Sequence, residues 1–480
     1  MRSQAMLRAG AAALLALLLG AGACSASPSE RGTVESVPGP LALTPGVRHP
    51  AALLPGDWPT YHHDAARSGF VPGVPPERAQ GQGLTRAWTA QLDGAVYGQP
   101  LVVRGIVVAA TENDSLYGLD PGDGRVLWHR QLGSPMRLSA LPCGNIDPLG
   151  VTGTPVFEPQ TGLVFAVAEL AGGRHLLVGV DPSSGEVLVR REVEPPRGDA
   201  LVHQQRGALA VADGRVLIAY GGLYGDCGNY VGSVLSVPAT GAGPVLSYSV
   251  PTSREGGIWA TGGPVVDGSR ILVSVGNGAA TGGTGGGSSG SAGAYDGSDS
   301  VLALSLGLLR TDYFAPAGWA QDNAADLDLG SMTPALLGRF VLIVGKRGTG
   351  YVLDGSRLGG IGGQLSQARV CEAYGTAAVS GASAYVPCAD SLARVDVDPG
   401  GGLHPGWQVQ LGASGSPVVG GGAVWVVDYG AGELLALDPA SGRLLQRAAT
   451  GPVPHFASPV LTGDRVLLGT SSGVTAFTGA

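Results

Sequence analysis

The chain has 480 residues, enough for more than one domain, with a net charge of −8 and only 14% charged residues. Glycine is unusually frequent, at 82 residues, which is typical of tight turns between many short strands. No polybasic tract is present, so the composition argues against a nucleic-acid-binding protein.

The N-terminus has the pattern of a secretory signal peptide. An apolar run follows the basic residues Arg2 and Arg8, and Cys24 comes directly after two small residues. A cysteine at this point resembles bacterial lipoproteins, in which it is lipidated and becomes the first residue of the mature protein. We predict a signal peptide over residues 1–23 and an extracytoplasmic protein anchored to the membrane through Cys24. The alternative is an ordinary signal peptide in which the cysteine is a coincidence.

The next segment, residues 24–56, is rich in Pro, Ser and Gly and shows no periodicity. This composition predicts a flexible tether between the anchor and a folded part that begins at residue 57.

The folded part is predicted to consist of repeats of four short strands. Residues 99–133 contain four runs rich in Val, Ile, Leu and Tyr, separated by polar turns such as Pro-Gly and Asp-Gly. Residues 153–193 and 415–449 repeat the plan, and LDPGDGRVL, VDPSSGEVL and LDPASGRLL are one motif written three times. A four-stranded unit of this kind needs neighbours to bury its faces, as the blades of a propeller do.

Eight units are predicted from residues that precede the first strand of each repeat: Pro100, Pro155, Ala208, Pro264, Pro334, Ala377, Pro417 and Pro459. Their spacing of about 40–70 residues is typical of propeller blades. No helical periodicity is visible after the N-terminus. We therefore predict an all-β protein over residues 57–480, an eight-bladed β-propeller of four-stranded antiparallel blades.

The last unit supplies only three strands before the chain ends. Residues 84–92, LTRAWTAQL, have the character of the missing fourth strand. We predict that this N-terminal strand completes the C-terminal blade, which closes the ring and leaves no exposed sheet edge. A closed ring needs no partner to cover an edge, so we expect a monomer.

Four cysteines remain after Cys24, and an even number in an exported protein predicts two disulfides. Three pairings exist on paper. Cys143 falls in the connection into the second blade and Cys227 between the second and third strands of the third, and both kinds of loop emerge on one face of a propeller. Cys371 and Cys388 flank the first two strands of the sixth blade. We predict the disulfides Cys143–Cys227 and Cys371–Cys388.

The segment DWPTYHHDAARSGF (residues 57–70, the lead-in segment), together with the LDPGDGRVLW unit, resembles the pyrroloquinoline quinone (PQQ)-type propeller proteins. This superfamily has eight blades and contains two unlike groups. One group is the quinoprotein dehydrogenases, which oxidise alcohols with PQQ and a bound calcium. The other binds no cofactor and offers the propeller as a protein-binding platform in the cell envelope, so the fold alone does not choose between them.

Five positions resemble the enzyme pattern. The resemblance implies that Trp259 is the floor of a quinone site and Lys346 its cation, that Asn277 and Glu169 are calcium ligands, and that Asp299 or Asp296 is the catalytic base. Calcium takes carboxylate and carbonyl oxygens and acts as a Lewis acid, and a carboxylate would remove the substrate proton. Each position also has an ordinary structural reading, as a wedge between blades, a turn residue, a loop carboxylate or a surface cation.

Three departures from the enzyme pattern are present, and the missing Cys-Cys pair and the Gly/Ser-rich stretch favour the non-catalytic group. The chain lacks the adjacent Cys-Cys pair of many PQQ alcohol dehydrogenases and lacks a CxxCH haem motif. A Gly/Ser-rich stretch, residues 278–295, lies where an enzyme needs rigid calcium and base geometry. Asp326 and Asp328 resemble the Asp-rich segment that begins a blade in this family, and a structural role within the repeat explains them equally well.

The sequence therefore predicts an envelope lipoprotein whose propeller binds or scaffolds a partner protein. It would hold the partner on the disulfide-bearing face or in the central funnel. The alternative prediction is a PQQ- and calcium-dependent dehydrogenase that oxidises an alcohol-type substrate.

Overall fold

The computed structural model describes residues 39–43, 51–72, 83–280 and 294–479. Cys24, the predicted signal peptide and part of the predicted tether lie outside the described residues. The propeller unit, Gly39–Ala480, is built from eight sheets, each with four antiparallel strands, which confirms the predicted eight-bladed β-propeller. No helix among the described residues is long and apolar enough to span a membrane.

The strands of the first four blades are given in chain order. Blade 1 has Leu101–Val103, Ile106–Thr111, Ser115–Leu119 and Val126–Gln131, and blade 2 has Val156–Glu158, Leu163–Leu170, Arg174–Val180 and Val187–Glu192. Blade 3 has Ala210–Ala212, Arg215–Gly222, Ser233–Pro238 and Leu246–Ser249, with His203–Gln204 added against its second strand. Blade 4 has Val265–Asp267, Arg270–Val275, Ser300–Ser305 and Arg310–Ala315, with Gly360–Ile361 paired in parallel to its fourth strand.

The remaining blades follow the same plan. Blade 5 has Ala335–Leu337, Phe340–Val344, Thr349–Asp354 and Ser366–Arg369, and blade 6 has Ala378–Ser380, Ser383–Pro387, Ser391–Val397 and Leu403–Gln410. Blade 7 has Val418–Gly420, Ala423–Asp428, Glu433–Leu437 and Leu444–Ala449, and blade 8 has Val460–Thr462, Arg465–Thr470, Gly473–Thr478 and Thr85–Gln91. Short 3-10 turns lie at Leu138–Ala140, Ala200–Val202 and Leu329–Ser331, and one α-helix, Trp319–Ala324, precedes blade 5. That helix was not predicted, because six residues are too few for a helical period to show.

The predicted strand anchors are confirmed in seven blades, where the first strand begins at the next residue. In blade 3 the equivalent residue is Leu209 and not Ala208, because the strand begins at Ala210. With this one-residue correction, Gly207 and Gly153 occupy the same position, three residues before the first strand of their blades.

Closure of the ring by the N-terminal strand is also confirmed. Thr85–Gln91 pairs antiparallel with Gly473–Thr478, from Thr85 opposite Thr478 to Gln91 opposite Gly473. The pairing removes the edge that the last blade would otherwise expose.

The hydrophobic core lies between neighbouring blades. Leu163–Leu170 is buried along its whole length, whereas the outer strand Thr85–Gln91 is buried at only two of its residues. Between blades 2 and 3, for example, Phe165 and Leu177 share a buried cluster with Ile218. Strands that are buried on both faces read as continuous apolar runs, which explains why the β-branched repeats were visible in the sequence.

The repeated Asp-Pro-x-x-Gly turn is the point at which one blade is fastened to the next. In blade 2 the turn glycine, Gly185, has φ +69°, and the Trp128 ring of blade 1 lies against it. The Trp128 Nε1 donates to the Pro182 carbonyl at 2.8 Å. Trp88 and Trp407 make the same hydrogen bond to the turns of blades 1 and 7, at 3.1 Å each. The motif therefore encodes a contact between blades as well as a hairpin.

Both predicted disulfides are present in the structure. Cys143 and Cys227 join the connection into blade 2 to a loop of blade 3, with their Cα atoms 6.1 Å apart. Cys371 lies before blade 6 and Cys388 lies within it, and their Cα atoms are 5.8 Å apart.

The lead-in segment lies at the axis of the ring. It makes backbone contacts with the first strands of several blades, and a segment of this length reaches them all only at the centre. The contacts are those of Trp58 with Val102, Pro59 with Phe157, Ala65 with Val266, Ser68 with Val379 and Gly69 with Val419. The buried Arg67 guanidinium adds a hydrogen bond to the Leu209 carbonyl of blade 3 at 2.8 Å.

A short piece of the predicted tether lies against the propeller. Leu41 exchanges two backbone hydrogen bonds with Arg190 in the outer strand of blade 2, and the Leu43 amide donates to the Thr240 carbonyl. Leu43 also packs against the cluster between blades 2 and 3.

Candidate functional site

A cavity of about 550 Å³ opens on one face of the propeller. Its walls come from the connections between blades and from the loops between second and third strands, which meet at the same face. The lining includes Tyr97, Asn145, Gln204, Arg206, Asp226, Tyr230, Trp259, Asn277, Asp326, Asp328, Lys346, Tyr374, His455 and Phe456. Tyr224, on the rim beside the Cys143–Cys227 disulfide, is 70% exposed.

Lys346 is held on one side of the cavity by two carboxylates. Its Nζ lies 2.6 Å from Asp328 Oδ2 and 2.9 Å from Asp326 Oδ1. Asn277 joins the same group, because its backbone N–H donates to Asp328 Oδ1 at 2.6 Å and its Nδ2 donates to Asp326 Oδ1 at 2.7 Å. We call Asn277, Asp326, Asp328 and Lys346 the lysine cluster.

The electrostatics of the lysine cluster are those of a matched ion pair. Burial alone would lower the pKa of Lys346, but the charge of Asp328 and hydrogen bonds to both carboxylates outweigh it and raise that pKa. Burial raises the pKa of Asp328, while Lys346 and the Asn277 amide work in the opposite direction. The ammonium is therefore protonated at neutral pH and already has its counter-ions.

Aromatic rings form a continuous strip from the lysine cluster across the cavity. Lys346 Nζ lies 5.9 Å from the centre of the Trp259 ring. Trp259 and Tyr374 have ring centres 6.5 Å apart, and Tyr374 and Phe456 are stacked at 6.2 Å. We call Trp259, Tyr374 and Phe456 the aromatic strip.

The other end of the aromatic strip carries a second cation, Arg206. Its guanidinium lies 5.5 Å from the centre of the Phe456 ring and 5.7 Å from that of Tyr97. Its Nη2 donates to the His455 carbonyl at 3.3 Å, and no carboxylate among the described residues forms an ion pair with it. Burial lowers the pKa of Arg206, and Glu112 acts on it in the opposite direction.

Three of the residues singled out by sequence resemblance therefore lie together. Trp259, Asn277 and Lys346 all line the cavity. Asn277 Oδ1 is buried without a hydrogen-bond partner among the described residues.

Glu169 belongs to a different environment. It is fully buried, does not line the cavity, and accepts a hydrogen bond from the Gln205 amide at 2.6 Å through Oε1. Burial raises its pKa well above the usual range, and Glu112 adds to the effect. Burial likewise raises the pKa of Glu112 to about 7, and that of Asp114 well above its usual range. These three carboxyl groups form a buried acid group between blades 1 and 2.

The two candidate bases do not line the cavity either. Asp299 is fully buried and accepts a hydrogen bond from the Leu329 amide at 2.9 Å through Oδ1, and burial followed by the charge of Asp328 raises its pKa well above the usual range. Asp296 accepts from the Ser298 amide at 3.2 Å and from the Ala280 amide at 3.0 Å. Its carboxylate thus connects the two ends of the Gly/Ser-rich stretch, most of which lies outside the described residues.

Of the two calcium ligands implied by the resemblance, Asn277 lines the cavity and Glu169 does not. Calcium takes six to eight oxygen ligands. Here the oxygens of Asp326 and Asp328 surround an ammonium, and Glu169 lies in the buried acid group. Within the described parts of the chain, no group of three or more His, Cys, Asp and Glu side chains is arranged to hold a metal ion.

The sequence analysis missed Arg206, Tyr97, Tyr374 and Phe456, although the repeats contained a signal for them. Each is the fourth residue before the first strand of its blade. In the other four blades this position holds Thr152, Thr261, Ser331 or Ser414, which are small, polar and buried. Aligning the repeats on their strand starts therefore picks out large side chains that point to a shared cavity.

Comparisons with known proteins agree with this architecture. Residues 85–279 match the family model described as outer membrane protein assembly factor BamB. A stretch of 177 residues is 27% identical to the dehydrogenase subunit of the quinone-type alcohol dehydrogenase of Komagataeibacter europaeus. The chain carries a PQQ-like eight-bladed β-propeller. The aligned stretch covers 35% of this chain and 22% of the length of that relative.

Solved structures of both groups share the fold of this PQQ-like propeller. A quinohemoprotein alcohol dehydrogenase from Pseudomonas putida HK5 superimposes with a TM-score of 0.70 at 16% identity, covering 88% of this chain and 80% of the other. BamB from Moraxella catarrhalis gives a TM-score of 0.57 at 13% identity, covering 82% and 99%. Identities this low show a common fold and no common activity.

Proposed function

We propose that this PQQ-like propeller is a lipid-anchored, extracytoplasmic binding protein that uses its cavity-bearing face to hold a partner in the cell envelope. In this proposal it is not a calcium-dependent quinoprotein dehydrogenase. The observation that carries the proposal is the lysine cluster, in which Lys346 satisfies the carboxylates of Asp326 and Asp328. Because these two carboxylates already have a cation, they offer no uncompensated charge to a calcium ion in the cavity.

Two further features support a binding role. The cavity face carries the rim residue Tyr224 and the Cys143–Cys227 disulfide, and exposed aromatic residues beside a cavity are typical of recognition surfaces. The matching family model is described as an assembly factor of the outer membrane, which is a role in the envelope for those proteins.

The anchor is tested with Cys24→Ser. Cells that produce the wild-type chain should retain it in the membrane fraction and incorporate labelled fatty acid into it, and the variant should be released and unlabelled. Because Cys24 precedes the propeller, both proteins should unfold at the same temperature. A wild-type chain that is exported but soluble and unlabelled would contradict the anchor.

A second candidate function is the dehydrogenase, which the convergence of Trp259, Asn277 and Lys346 and the unpartnered Oδ1 of Asn277 favour. Incubation with PQQ and calcium, followed by alcohol-dependent dye reduction, separates the two candidates. The binding role predicts no more reduction than with a heat-denatured sample. Reduction that requires calcium and is lost in Asn277→Ala would establish the dehydrogenase instead.

A further inference from the structure

Among the described residues, Lys346 and Arg206 are the cations that line the cavity, and they differ in how their charges are paired. Lys346 has carboxylate oxygens at 2.6 and 2.9 Å, whereas Arg206 has only the His455 carbonyl at 3.3 Å. A guanidinium offers five N–H donors in a planar fork that matches a carboxylate. A half-buried Arg206 with one long hydrogen bond therefore has free donors that face a cavity.

Residues around Arg206 leave its charge poorly compensated. The main acidic influence on Arg206 is Glu112, which is buried and whose Oε2 accepts hydrogen bonds from the Gly150 amide and the Thr152 hydroxyl. Burial raises the pKa of Glu112 to about 7, so at neutral pH only about half of it is ionised and it compensates Arg206 only in part. An anion from outside would complete the pairing.

The surface beside Arg206 selects for a ring. Phe456, directly under the guanidinium, continues into the aromatic strip through Tyr374 to Trp259. Offset or tilted stacking on such a strip adds to the burial of a flat apolar group. The site thus places a carboxylate receptor and an aromatic surface side by side.

The rest of the cavity limits the charge of the ligand. Asp226, Asp326 and Asp328 also line it, against the two cations. Further negative charges on a ligand would meet these carboxylates, so a single carboxylate is favoured over several. This distinguishes the site from one that is built for a polyanionic cofactor.

We propose that the cavity binds a carboxylate attached to an aromatic ring, with the carboxylate on Arg206 and the ring on the aromatic strip. The inference rests on the proposed binding function and names the chemistry of what is bound. Two sources supply this chemistry, a free aromatic acid and the C-terminal residue of a polypeptide that ends in an aromatic side chain.

The test compares matched probes on the purified propeller by calorimetry. One pair is 2-naphthoate and its neutral amide, and the other is the peptide Gly-Ala-Gly-Phe with a free or an amidated C-terminus. We expect at least one free acid to bind at least tenfold more tightly than its amide. A preference limited to the peptide assigns the ligand to a polypeptide terminus, and a preference limited to 2-naphthoate assigns it to a small molecule.

Variants locate the effect at Arg206. Arg206→Gln should abolish the preference for the acid, and Arg206→Lys should keep part of it. Arg310→Gln is the matched control, because Arg310 also lies over a tyrosine ring, at 5.2 Å from Tyr313, but on the outer strand of blade 4. It should bind as the wild type does.

Two results would overturn the inference. Acids and amides that bind equally well, with no effect of Arg206→Gln, would leave a binding cavity without carboxylate recognition. Absence of binding by all four probes would also reject it. Neither result touches the proposed function, which is tested separately by the Cys24→Ser comparison and by dye reduction with PQQ and calcium.

Discussion

Removal of the Lys346 ammonium should destabilise the protein because it leaves a buried carboxylate without its counter-ion. The side chains of Lys346 and Asp328 are 17% and 8% exposed, and their charged atoms lie 2.6 Å apart. Breaking a fully buried pair typically costs about 3–5 kcal/mol, and the partial exposure of Lys346 reduces this to about 2–3 kcal/mol for Lys346→Met. Asp328→Asn in the same chain should recover about 2 kcal/mol of that loss.

The assay is denaturant unfolding of the wild type, both single variants and the double variant, which gives the coupling energy directly. In Lys346→Met the pKa of Asp328 should rise further, so the loss should be larger at pH 8 than at pH 5. Arg125→Met is the control, since the Arg125–Asp120 pair is 3.5 Å long and exposed, and it should change stability by less than about 0.5 kcal/mol. A coupling below about 0.5 kcal/mol between Lys346 and Asp328 would refute the matched ion pair and with it the argument against calcium.

Three further predictions concern stability. Burial raises the pKa of Glu112 from 4.5 to about 7, so the stability that its protonated form gives the fold is lost as the pH rises through this window. In Glu112→Gln, the fall in unfolding free energy between pH 4.5 and 7 should be smaller by up to ~3 kcal/mol. An unchanged slope would contradict the raised pKa. Replacing Cys371 and Cys388 by Ser opens a 17-residue loop and should cost about 3 kcal/mol in non-reducing denaturant unfolding, an effect that reductant should reproduce in the wild type. Gly185→Ala places a Cβ 2.5 Å from the Trp128 ring at φ +69°, whereas Gly105 has a similar φ and nothing within 4 Å of such a Cβ. Gly185→Ala should therefore lower the unfolding free energy by about 1 kcal/mol more than Gly105→Ala. Equal losses would show that the ring moves freely.

Most of the fold could be predicted because the repeats are local. Each blade is four consecutive strands, so turns and apolar runs define it without knowledge of distant contacts. The strand at Thr85–Gln91 was recognisable because the last blade visibly lacked its fourth member, and the Cys143–Cys227 pairing followed once the ring was assumed. The error at Ala208 arose where no proline marks the start of the strand.

The candidate site was less predictable because its chemistry depends on which side chains meet across blades. Lys346 was recognised as a cation, but its neutralisation by Asp328 depends on a loop of blade 5 and the connection into that blade, which bring the two residues together at the cavity from positions 18 residues apart. Glu169 was placed near the site by resemblance, and its complete burial and the effect of Glu112 on its pKa show that it belongs to the buried acid group. Alignment of the repeats on their strand starts points to Arg206, but the prediction began the first strand of blade 3 one residue too early and so missed it.

Calorimetric titration of the mature propeller with PQQ, in the presence and absence of calcium, tests the central claim most directly. A cavity in which Lys346 satisfies the carboxylates of Asp326 and Asp328 should show no binding that depends on calcium. Sub-micromolar binding that requires calcium and disappears in Asn277→Ala would contradict the account, because it would mean that Lys346 yields its carboxylates to a metal ion.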